Sequence, residues 1–519
     1  MKTKFISVII PLLFSINLMA QAVPTIDWKK CFGGLGNEAF YDIRQTPDGG
    51  YIATGSFEPQ HFDSIPFLST QVWVVKFDEA SNIEWENTYG GSGYESGIAI
   101  EFTSDGGYLI AGSTTTVGGA TGFHGSYDYW IMKLNGEGDL QWEKALGGSS
   151  AEVPVDIIST SDGNFLIAGK TSSIDGDVNG FHIPYYYGDD YWVIKINPAG
   201  DILWSKCYGG YVYDIPGSVI ETTDGNYVIA GYTNSVDGDV TVQHGSYDAW
   251  IIKIQPDGDL IWQKSFGSGP EDYAYSIIED ENNDLVFAGH SRSNYTGYHG
   301  GFDYWMVKLN KNGKLKWSNV FGGSKQDYGT EIAVLQDGSY VIGGWSHSLD
   351  GDVIGSHKHV DYWIAGVNVE GNLLWTDALG GKNGDYMYCI APTSDNGFII
   401  SGSSYSNNGN VTDNFTNTGE AWTVKMNYSG EELKQTPNPA KSLFSLYPNP
   451  FTQVLNITCN QTVTYPVMIQ IRNVTGQVIQ EEIIYSDFAS IRTEILIPGI
   501  YFVEIQYGSE KIVQKVVKE

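Results

Sequence analysis

Short apolar runs that alternate with polar positions recur along most of the chain, and glycine-bearing turns separate them. Alternation of this kind predicts β-strands, and no run shows helical periodicity over a useful length. Four runs form a group that occurs seven times between residues 28 and 434, at a spacing of roughly 58 residues. In one copy the runs are Ser96 to Thr103, Tyr108 to Thr114, Tyr129 to Leu134 and Leu140 to Leu146.

Tryptophan marks two positions in every repeat, and fourteen of the fifteen tryptophans belong to one of these two series. The first series precedes a glycine pair and comprises Trp28, Trp85, Trp142, Trp204, Trp262, Trp317 and Trp375. The second lies in a D-Y-W-type strand and comprises Trp73, Trp130, Trp192, Trp250, Trp305, Trp363 and Trp422. Trp345 alone stands outside both series.

Seven repeats of four antiparallel strands predict an all-β fold, a seven-bladed β-propeller over residues 23–434. The seventh repeat lacks its closing Trp between Gly430 and Lys434, whereas an additional copy of that strand lies between Thr25 and Gly34. We expect this N-terminal strand to complete the last blade and close the ring, which removes two exposed sheet edges.

The blade pattern itself resembles a known type of propeller. D-x-W-x-x-K followed by G-x-x-x-W is similar to the blades of quinoprotein-type propellers, over about residues 25 to 433. The resemblance implies a fold only, because propellers carry many unrelated activities.

The first residues and the overall charge limit the location and the partners. Residues 1–22 contain two lysines, an apolar stretch from Phe5 to Leu18 and small residues at the end, which predicts a secretory signal peptide. We expect no transmembrane segment in the mature chain. The formal net charge is −32, and nearly all of the excess lies in the repeats. Such a surface repels nucleic acid and anionic membranes, so we expect neither as a partner.

The composition changes after residues 435–444, which form a predicted linker. Residues 445–519 contain alternating apolar strands and predict a small C-terminal β-sandwich. Its motifs are Tyr447-Pro448-Asn449-Pro450, the turn from Asn473 to Gly476, Gly499-Ile500-Tyr501 and the basic residues Lys511, Lys515 and Lys518.

This segment resembles the type A C-terminal sorting domain of the Bacteroidetes type IX secretion system. The resemblance implies passage through the inner membrane on the signal peptide, followed by export across the outer membrane. It makes the type IX machinery the expected partner of the C-terminal domain. Removal of that domain would leave the propeller either released or attached to the cell surface.

Two acidic patterns recur from blade to blade. One is a carboxylate four residues after each glycine pair, at Glu38, Glu95, Glu152, Asp214, Asp272, Asp327 and Asp385. The other is H-x-x-x-D, at His124/Asp128, His244/Asp248, His299/Asp303 and His357/Asp361, with His182 displaced by an insertion. A ring of acids and bases is one interpretation. Repetition in every blade favours structural hydrogen bonds between loops instead.

A third acidic pattern, D-G-D-V, is the only candidate cofactor site. It occurs in three loops and has an asparagine version at Asn408 to Val411. Carboxylates two residues apart on a glycine turn can bind calcium, although these loops lack a full set of ligands and D-G also makes an ordinary turn. The calcium candidates are Asp175, Asp177, Asp237, Asp239, Asp350 and Asp352. We expect no other cofactor.

The end of each second strand is the place where the repeats differ most. There the third to sixth blades carry the candidate ligand-binding residues Lys170, Tyr232, His290, Arg292, Trp345 and His347. Aromatic rings beside cationic groups can stack on a sugar and bind a carboxylate or sulfate. They could also abstract a proton from a uronic acid. The alternative is that these side chains simply pack between blades.

Three functions remain open from the sequence. The favoured one is an exported or cell-surface propeller that binds a glycan or a protein without catalysis, as an adhesion module. The second is a polysaccharide lyase or glycoside hydrolase that uses the rim of blades four to six, although no unique pair of carboxylates stands out. The third is a structural surface protein with no ligand. We assign no catalytic residue.

Overall fold

The structure is a computed structural model. The predicted signal peptide and most of the predicted linker lie outside the residues that it describes, as do Pro448 to Pro450 and the residues after Asn473 in the predicted turn. The described residues are 23–58, 69–115, 120–182, 187–293, 295, 297–414, 418–428, 444–447, 452–459, 466–473, 478–486, 488–493, 496–497, 499–507 and 510–518.

The chain forms two compact units, residues 1–430 and 431–519. No helix among the described residues is long and apolar enough to cross a membrane. Within the described part of the first unit, seven four-stranded antiparallel sheets form the blades. Blades one to three are β2 (Ala39–Gln45), β3 (Tyr51–Phe57), β4 (Gln71–Phe77), β5 (Ile83–Tyr89); β6 (Ser96–Phe102), β7 (Tyr108–Thr114), β8 (Asp128–Leu134), β9 (Leu140–Leu146); and β10 (Glu152–Ser159), β11 (Phe165–Thr171), β12 (Asp190–Ile196), β13 (Ile202–Tyr208).

The next three blades repeat this order, and the seventh combines both ends of the repeat region. Blades four to six are β14 (Asp214–Glu221), β15 (Tyr227–Thr233), β16 (Asp248–Ile254), β17 (Leu260–Phe266); β18 (Asp272–Glu279), β19 (Leu285–Ser291), β20 (Asp303–Leu309), β21 (Leu315–Phe321); and β22 (Asp327–Val334), β23 (Tyr340–Ser346), β24 (Asp361–Val367), β25 (Leu373–Leu379). Blade seven consists of β26 (Asp385–Pro392), β27 (Phe398–Ser404), β28 (Glu420–Asn427) and β1 (Thr25–Phe32).

Ring closure by the N-terminal strand is confirmed by the pairing of β1 with β28. The two strands are antiparallel, with Thr25 opposite Asn427 and Phe32 opposite Ala421. The backbone amide of Cys31 also donates to Asp413 at 2.9 Å. The seven-bladed propeller predicted from the Trp series is therefore the observed fold.

The first strand of each blade lies nearest the axis, and together these strands line a central channel of about 460 Å³. Each of them has a β-bulge at the same position, which twists the strand and exposes one additional residue to the channel. The bulged residues are Tyr41, Ile98, Val155, Gly217, Tyr275, Thr330 and Tyr388.

The Trp of the third strand forms the buried centre of each blade and is locked to the blade before it. In four blades the Tyr of D-Y-W packs on the Trp of the next blade, and its hydroxyl donates to the carbonyl of that Trp. For Tyr304 and Trp363 the ring centroids are 4.2 Å apart and the hydrogen bond is 2.7 Å long. The other pairs are Tyr129 and Trp192, Tyr191 and Trp250, and Tyr362 and Trp422.

The first Trp series, on the outermost strand of each blade, links neighbouring blades at the perimeter in the same direction. The indole N–H of Trp204 donates to the carbonyl of Pro256, in the last turn of the next blade, at 3.0 Å. Trp317 donates in the same way to Val369 at 3.1 Å. Neighbouring blades are thus held together at their centres in four cases, and at their edges where these indole hydrogen bonds form.

The Lys of D-x-W-x-x-K holds the turn between the first two strands of its blade. Its buried ammonium binds the Asp of the turn between the first two strands, as Lys133 does with Asp105 at 2.9 Å. A hydrogen bond from Thr103, together with the one from Lys133, lowers the pKa of Asp105 to about 2. Lys76 has the same effect on Asp48.

The second unit contains two sheets that share one apolar core, as expected for a small β-sandwich. Leu455 and Ile491 from one sheet pack in a cluster with Ile469 and Val503 from the other. One sheet has the order β29 (Phe444–Tyr447), β30 (Val454–Cys459), β33 (Phe488–Arg492). The other has the order β32 (Val478–Ile484), β31 (Val467–Asn473), β34 (Gly499–Tyr507), β35 (Glu510–Lys518).

The Tyr304–Trp363 contact can be tested by urea unfolding. Tyr304→Phe keeps the packing and removes one buried hydrogen bond, so we expect the free energy of unfolding to fall by about 1 kcal/mol. Tyr304→Ala also opens a cavity between two blades, so we expect a loss of about 3–5 kcal/mol. The exposed Tyr94→Phe serves as the control and should change stability by less than about 0.5 kcal/mol. Equal stability of Tyr304→Ala and wild type would contradict the proposed interlock.

Candidate functional site

The repeated carboxylates anchor the segments at the glycine pairs that lead from one blade to the next. We call these segments the crossings. Asp327 is fully buried at the start of β22 and accepts a hydrogen bond from the Gly323 amide at 2.7 Å. The hydroxyls of Ser346 and Ser348 donate to the same carboxylate. These bonds join the crossing to the loop after the second strand. Equivalent bonds to the crossing occur at Glu152, Asp214, Asp272 and Asp385.

The aspartates of H-x-x-x-D are also engaged with the backbone. Asp128 accepts the backbone amide of His124 at 2.7 Å, and the imidazole Nδ1 lies 3.2 Å from the same oxygen. His182 reaches Asp190 at 2.8 Å in spite of the insertion in its loop. These histidines therefore close the loops that precede the third strands.

In five crossings the two kinds of carboxylate meet at one glycine. A Cβ added to Gly322 would lie 2.4 Å from Oδ1 of Asp303 and 2.8 Å from Oδ2 of Asp327, so only glycine fits between them. Oδ1 of Asp303 is buried without a hydrogen-bond partner. Burial, with the nearby charge of Asp327, raises the pKa of Asp303 to about 7. The other four pairs are Asp128 and Glu152, Asp190 and Asp214, Asp248 and Asp272, and Asp361 and Asp385.

The D-G-D-V carboxylates accept backbone amides of the same crossings. Oδ1 of Asp350 accepts the Ser324 amide at 2.7 Å, and Oδ2 of Asp352 accepts the Gly322 amide at 3.2 Å. Asp175, Asp177, Asp237 and Asp239 make the equivalent bonds.

Asparagine can take over this role without a charge. Asn408 accepts the Lys382 amide at 2.9 Å, and Asn410 accepts the Gly380 amide at 3.1 Å. The loop therefore requires a side-chain oxygen rather than a carboxylate. In the described part of the chain, no group of three His, Cys, Asp or Glu side chains is arranged to hold a metal ion. Calcium binding by these loops stays a prediction.

Three of the predicted rim residues line one cavity on the face where the second strands end. Lys170, Tyr232 and His290 contribute to a space of about 490 Å³ between blades three and six. The ammonium of Lys170 forms an ion pair with Asp189 at 3.0 Å, and the Ser172 hydroxyl donates to the other oxygen of that carboxylate at 2.5 Å. We call this space the aromatic cavity, because rings form most of its wall: Tyr213, Tyr232, Tyr247, Tyr273, Tyr275, Phe302 and Tyr328.

His290 is packed into the wall of this cavity rather than presented on its surface. Its imidazole lies against Tyr275 at 5.0 Å, Phe302 at 4.8 Å and Tyr328 at 4.9 Å between ring centroids. Nδ1 is 3.3 Å from the carbonyl oxygen of Gly329. Burial lowers the pKa of His290 to about 4, so the imidazole is neutral near pH 7.

Arg292 stands outside the lining of the aromatic cavity. Its guanidinium pairs with Glu271 at 3.0 Å and lies over the ring of Phe302, 5.0 Å from the centroid. Phe302 thus separates the charge of Arg292 from the cavity. The role of Arg292 in ligand binding stays a prediction.

Trp345 and His347 lie on the far side of Tyr328. The Trp345 ring is 5.5 Å from Tyr328 of its own blade and 5.9 Å from Tyr386 of the seventh blade. His347 meets the edge of Tyr328 at 6.3 Å. Burial, with the charge of Lys325, lowers the pKa of His347. The rim residues predicted in blades four to six are therefore joined by a continuous series of ring contacts.

Most of the rings on this face were missed by the sequence reasoning. Tyr273, Tyr328 and Tyr386 each follow the repeated carboxylate directly, and Tyr275 and Tyr388 come two residues later. Strand alternation puts both positions on the axial side. The same positions in blades three and four carry Val153 and Ile215 or small bulged residues, so comparison of the repeats could have identified them.

The channel contains charged residues that were also missed. Arg44 pairs with Glu101 at 2.9 Å and with Asp42 at 3.5 Å. Burial raises the pKa of Asp156 to about 6 and that of Glu331 well above its usual value. These positions do not repeat, because blades two, four, five and seven have Ala99, Ser218, Ser276 and Cys389 there.

The C-terminal unit decides the route of the protein. Residues 445–519 match the family described as the secretion system C-terminal sorting domain. They are a type IX sorting domain. The chain is thus a β-propeller protein that the type IX secretion system exports, either secreted or held on the outer-membrane surface.

Similarity to other proteins lies in the fold and is distant. PorZ, described as a surface component of the type IX secretion system of Porphyromonas gingivalis, has 12% identity and a TM-score of 0.39, with coverage of 94% of this chain and 60% of PorZ. The Pan2 WD40 domain of Neurospora crassa has 9% identity and a TM-score of 0.42, with coverage of 75% and 89%. Neither likeness bears on function.

One curated relative matches part of the chain. The regulatory protein FlaEY of Caulobacter vibrioides is 23% identical over 231 residues, which is 40% of this chain and 23% of the relative. The chain therefore spans less than a quarter of the length of this relative.

The buried carboxylate pairs predict a pH dependence of stability. A folded pKa near 7 for Asp303 and Asp214, against about 4 in the unfolded chain, stabilises the protein below pH 4. That contribution is lost as the pH rises from about 4 to 7. We expect the thermal midpoint to be higher at pH 5.5 than at pH 8 at constant ionic strength, and the difference to be smaller in Asp303→Asn. A thermal midpoint that rises from pH 5.5 to pH 8 would contradict the predicted direction of the pH dependence.

Proposed function

We propose that this exported propeller is a non-catalytic glycan-binding protein, with its ligand at the aromatic cavity. The observation that carries the proposal is the lining of that cavity, in which seven tyrosine and phenylalanine rings from several blades surround about 490 Å³. This volume is typical of ligand pockets. Aromatic faces stack on the apolar faces of sugar rings, and phenol hydroxyls bind sugar hydroxyls. A surface location suits an adhesion role toward glycans outside the cell.

The titration behaviour of the cavity favours binding over catalysis. A general acid or base works best with a pKa near the pH of the reaction. Burial moves the pKa of His290 to about 4 and that of Tyr232 to about 12, in opposite directions away from neutrality. Asp189, the single carboxylate in the lining, is bonded to Lys170 and Ser172. Glycoside hydrolysis ordinarily requires two carboxyl groups across the scissile bond.

A glycan-active enzyme is the second candidate, and one observation favours it. Asp156 and Glu331 line the central channel, and burial raises the pKa of both carboxyls. A carboxyl group with a raised pKa can protonate a glycosidic oxygen near neutral pH. The channel shares Tyr275 with the aromatic cavity, so a bound chain could reach it.

A glycan array with matched variants tests the proposal. We expect the wild type to bind at least one glycan, and Tyr232→Ala to weaken that binding by about tenfold, because one aromatic contact is lost. Tyr94→Ala removes an exposed tyrosine outside the cavity and should leave binding unchanged. Each variant is checked for wild-type thermal stability.

The other outcomes separate the remaining functions. Release of new reducing ends from a bound polysaccharide, abolished in Glu331→Gln, would favour the enzyme. Absence of binding across the array would favour a structural surface protein. Equal weakening by Tyr94→Ala and Tyr232→Ala would move the ligand away from the aromatic cavity.

A further inference from the structure

We propose that the ligand is an electrically neutral, extended glycan that occupies two cavities, one on each side of Trp345. This inference rests on the proposed glycan-binding function and adds the charge class of the ligand and its length. It follows from a second cavity, from the position of Trp345 and from the pairing of charges at the rim.

The second cavity lies against blade seven on the same face. It measures about 470 Å³ and is lined by Gly384, Tyr386, Tyr388 and Tyr405. Tyr386 and Tyr405 meet edge to face at 6.4 Å, and Tyr405 is 37% exposed. We call this space the tyrosine cavity. Its described lining residues offer ring faces and phenol groups and carry no charged side chain.

Trp345 lies between residues that line the two cavities. On one side its ring contacts Tyr328, which lines the aromatic cavity. On the other side it contacts Tyr386 at 5.9 Å and Tyr388 at 6.1 Å, which line the tyrosine cavity. The indole is half-buried and so keeps part of its surface in contact with solvent. A chain that fills both cavities must pass over this ring.

Both cavities open around the mouth of the central channel. Tyr275 belongs to the aromatic cavity and to the channel, and Tyr388 belongs to the tyrosine cavity and to the channel. The two spaces are therefore neighbouring parts of one curved surface across blades three to seven. A linear chain fits such a surface better than a single sugar does, because a single sugar reaches only one of the two cavities.

The charged residues in the cavity linings are paired with each other. Among the described residues of the two linings, only Lys170 and Asp189 are charged, and they bind each other at 3.0 Å. Arg292 is paired with Glu271 outside the lining. Lys325 is exposed near His347 and also lies outside both linings. A uronic acid or sulfate would find no uncompensated cation in either cavity.

The charge of the whole protein also favours neutral glycans over anionic ones. A net charge of −32 generates a potential that repels polyanions before they reach the surface. Neutral sugars experience no such repulsion and gain most from stacking on rings. We therefore assign the site to neutral polysaccharides rather than to polyuronates or sulfated glycans.

Affinity electrophoresis of the full propeller tests the charge class. The neutral probes are xyloglucan, glucomannan and mixed-linkage β-glucan, and the anionic probes are alginate, polygalacturonate and chondroitin sulfate. We expect retardation by at least one neutral polysaccharide and none by the anionic ones. Retardation only by anionic probes would overturn the inference and keep the proposed function. Retardation by none of the six would overturn both.

Calorimetry with oligosaccharides of the retarding polysaccharide tests the two cavities. We expect a hexasaccharide to bind at least about tenfold more tightly than a disaccharide. Tyr386→Ala in the tyrosine cavity and Tyr232→Ala in the aromatic cavity should each weaken the hexasaccharide by about tenfold, and Tyr94→Ala should have no effect. Equal affinity for both lengths, or full affinity in Tyr386→Ala, would overturn the two-cavity arrangement even if the glycan still binds.

Trp345 provides a readout that a structural role would not change. Its indole fluorescence should shift on addition of the hexasaccharide, and Trp345→Phe should remove that part of the signal. We expect Trp345→Phe to keep partial affinity and Trp345→Ala to lose about tenfold, because the phenyl ring still offers a stacking face. A fluorescence change that persists unaltered in Trp345→Phe would show that the chain does not cross this residue.

Discussion

The ring depends on the small space between two buried carboxylates, which is found at five of the blade crossings. Gly322 connects blades five and six, and it touches Asp303 of the first and Asp327 of the second. The backbone passes between the two acids because glycine has no side chain. This contact holds the two blades close together at the crossing. A closed ring requires nearly the same distance at every crossing, which explains why the pair recurs in five of them.

The same constraint leaves other positions free to differ. The residue after the repeated carboxylate has no part in the crossing, and it is aliphatic at Val153 and Ile215 but aromatic at Tyr273, Tyr328 and Tyr386. Rings therefore gather on one side of a nearly symmetric scaffold. Binding specificity can change at these positions while the blades stay in place, because loops and strand ends on a rigid framework tolerate substitution.

The fold could be predicted from the sequence because its determinants are local and repeated. The Trp series, the Asp-Gly turns and the missing strand of the seventh repeat defined the blades and the closure at Thr25. A β-bulge is harder to predict, since one additional residue leaves the apolar pattern almost unchanged. The bulges at Tyr275 and Tyr388 therefore hid two rings that reach the channel mouth.

The candidate site was predicted only in part, since its contacts join different blades. His290 was expected at an open rim, but its neighbours Phe302 and Tyr328 enclose it from two blades. The partner of Arg292 lies on another loop, at Glu271. A single sequence contains no record of such pairs. The channel charges were missed for the same reason.

The joining of β1 to β28 has a consequence for how the protein is made. Hydrogen bonds at the closure link residues 382 positions apart, such as Cys31 and Asp413. The first strand must therefore wait for the last repeat before it finds its partner. A chain that stops short of that repeat keeps two open sheet edges, which attract proteases and other chains. Only a chain that contains its final repeat can therefore close the ring.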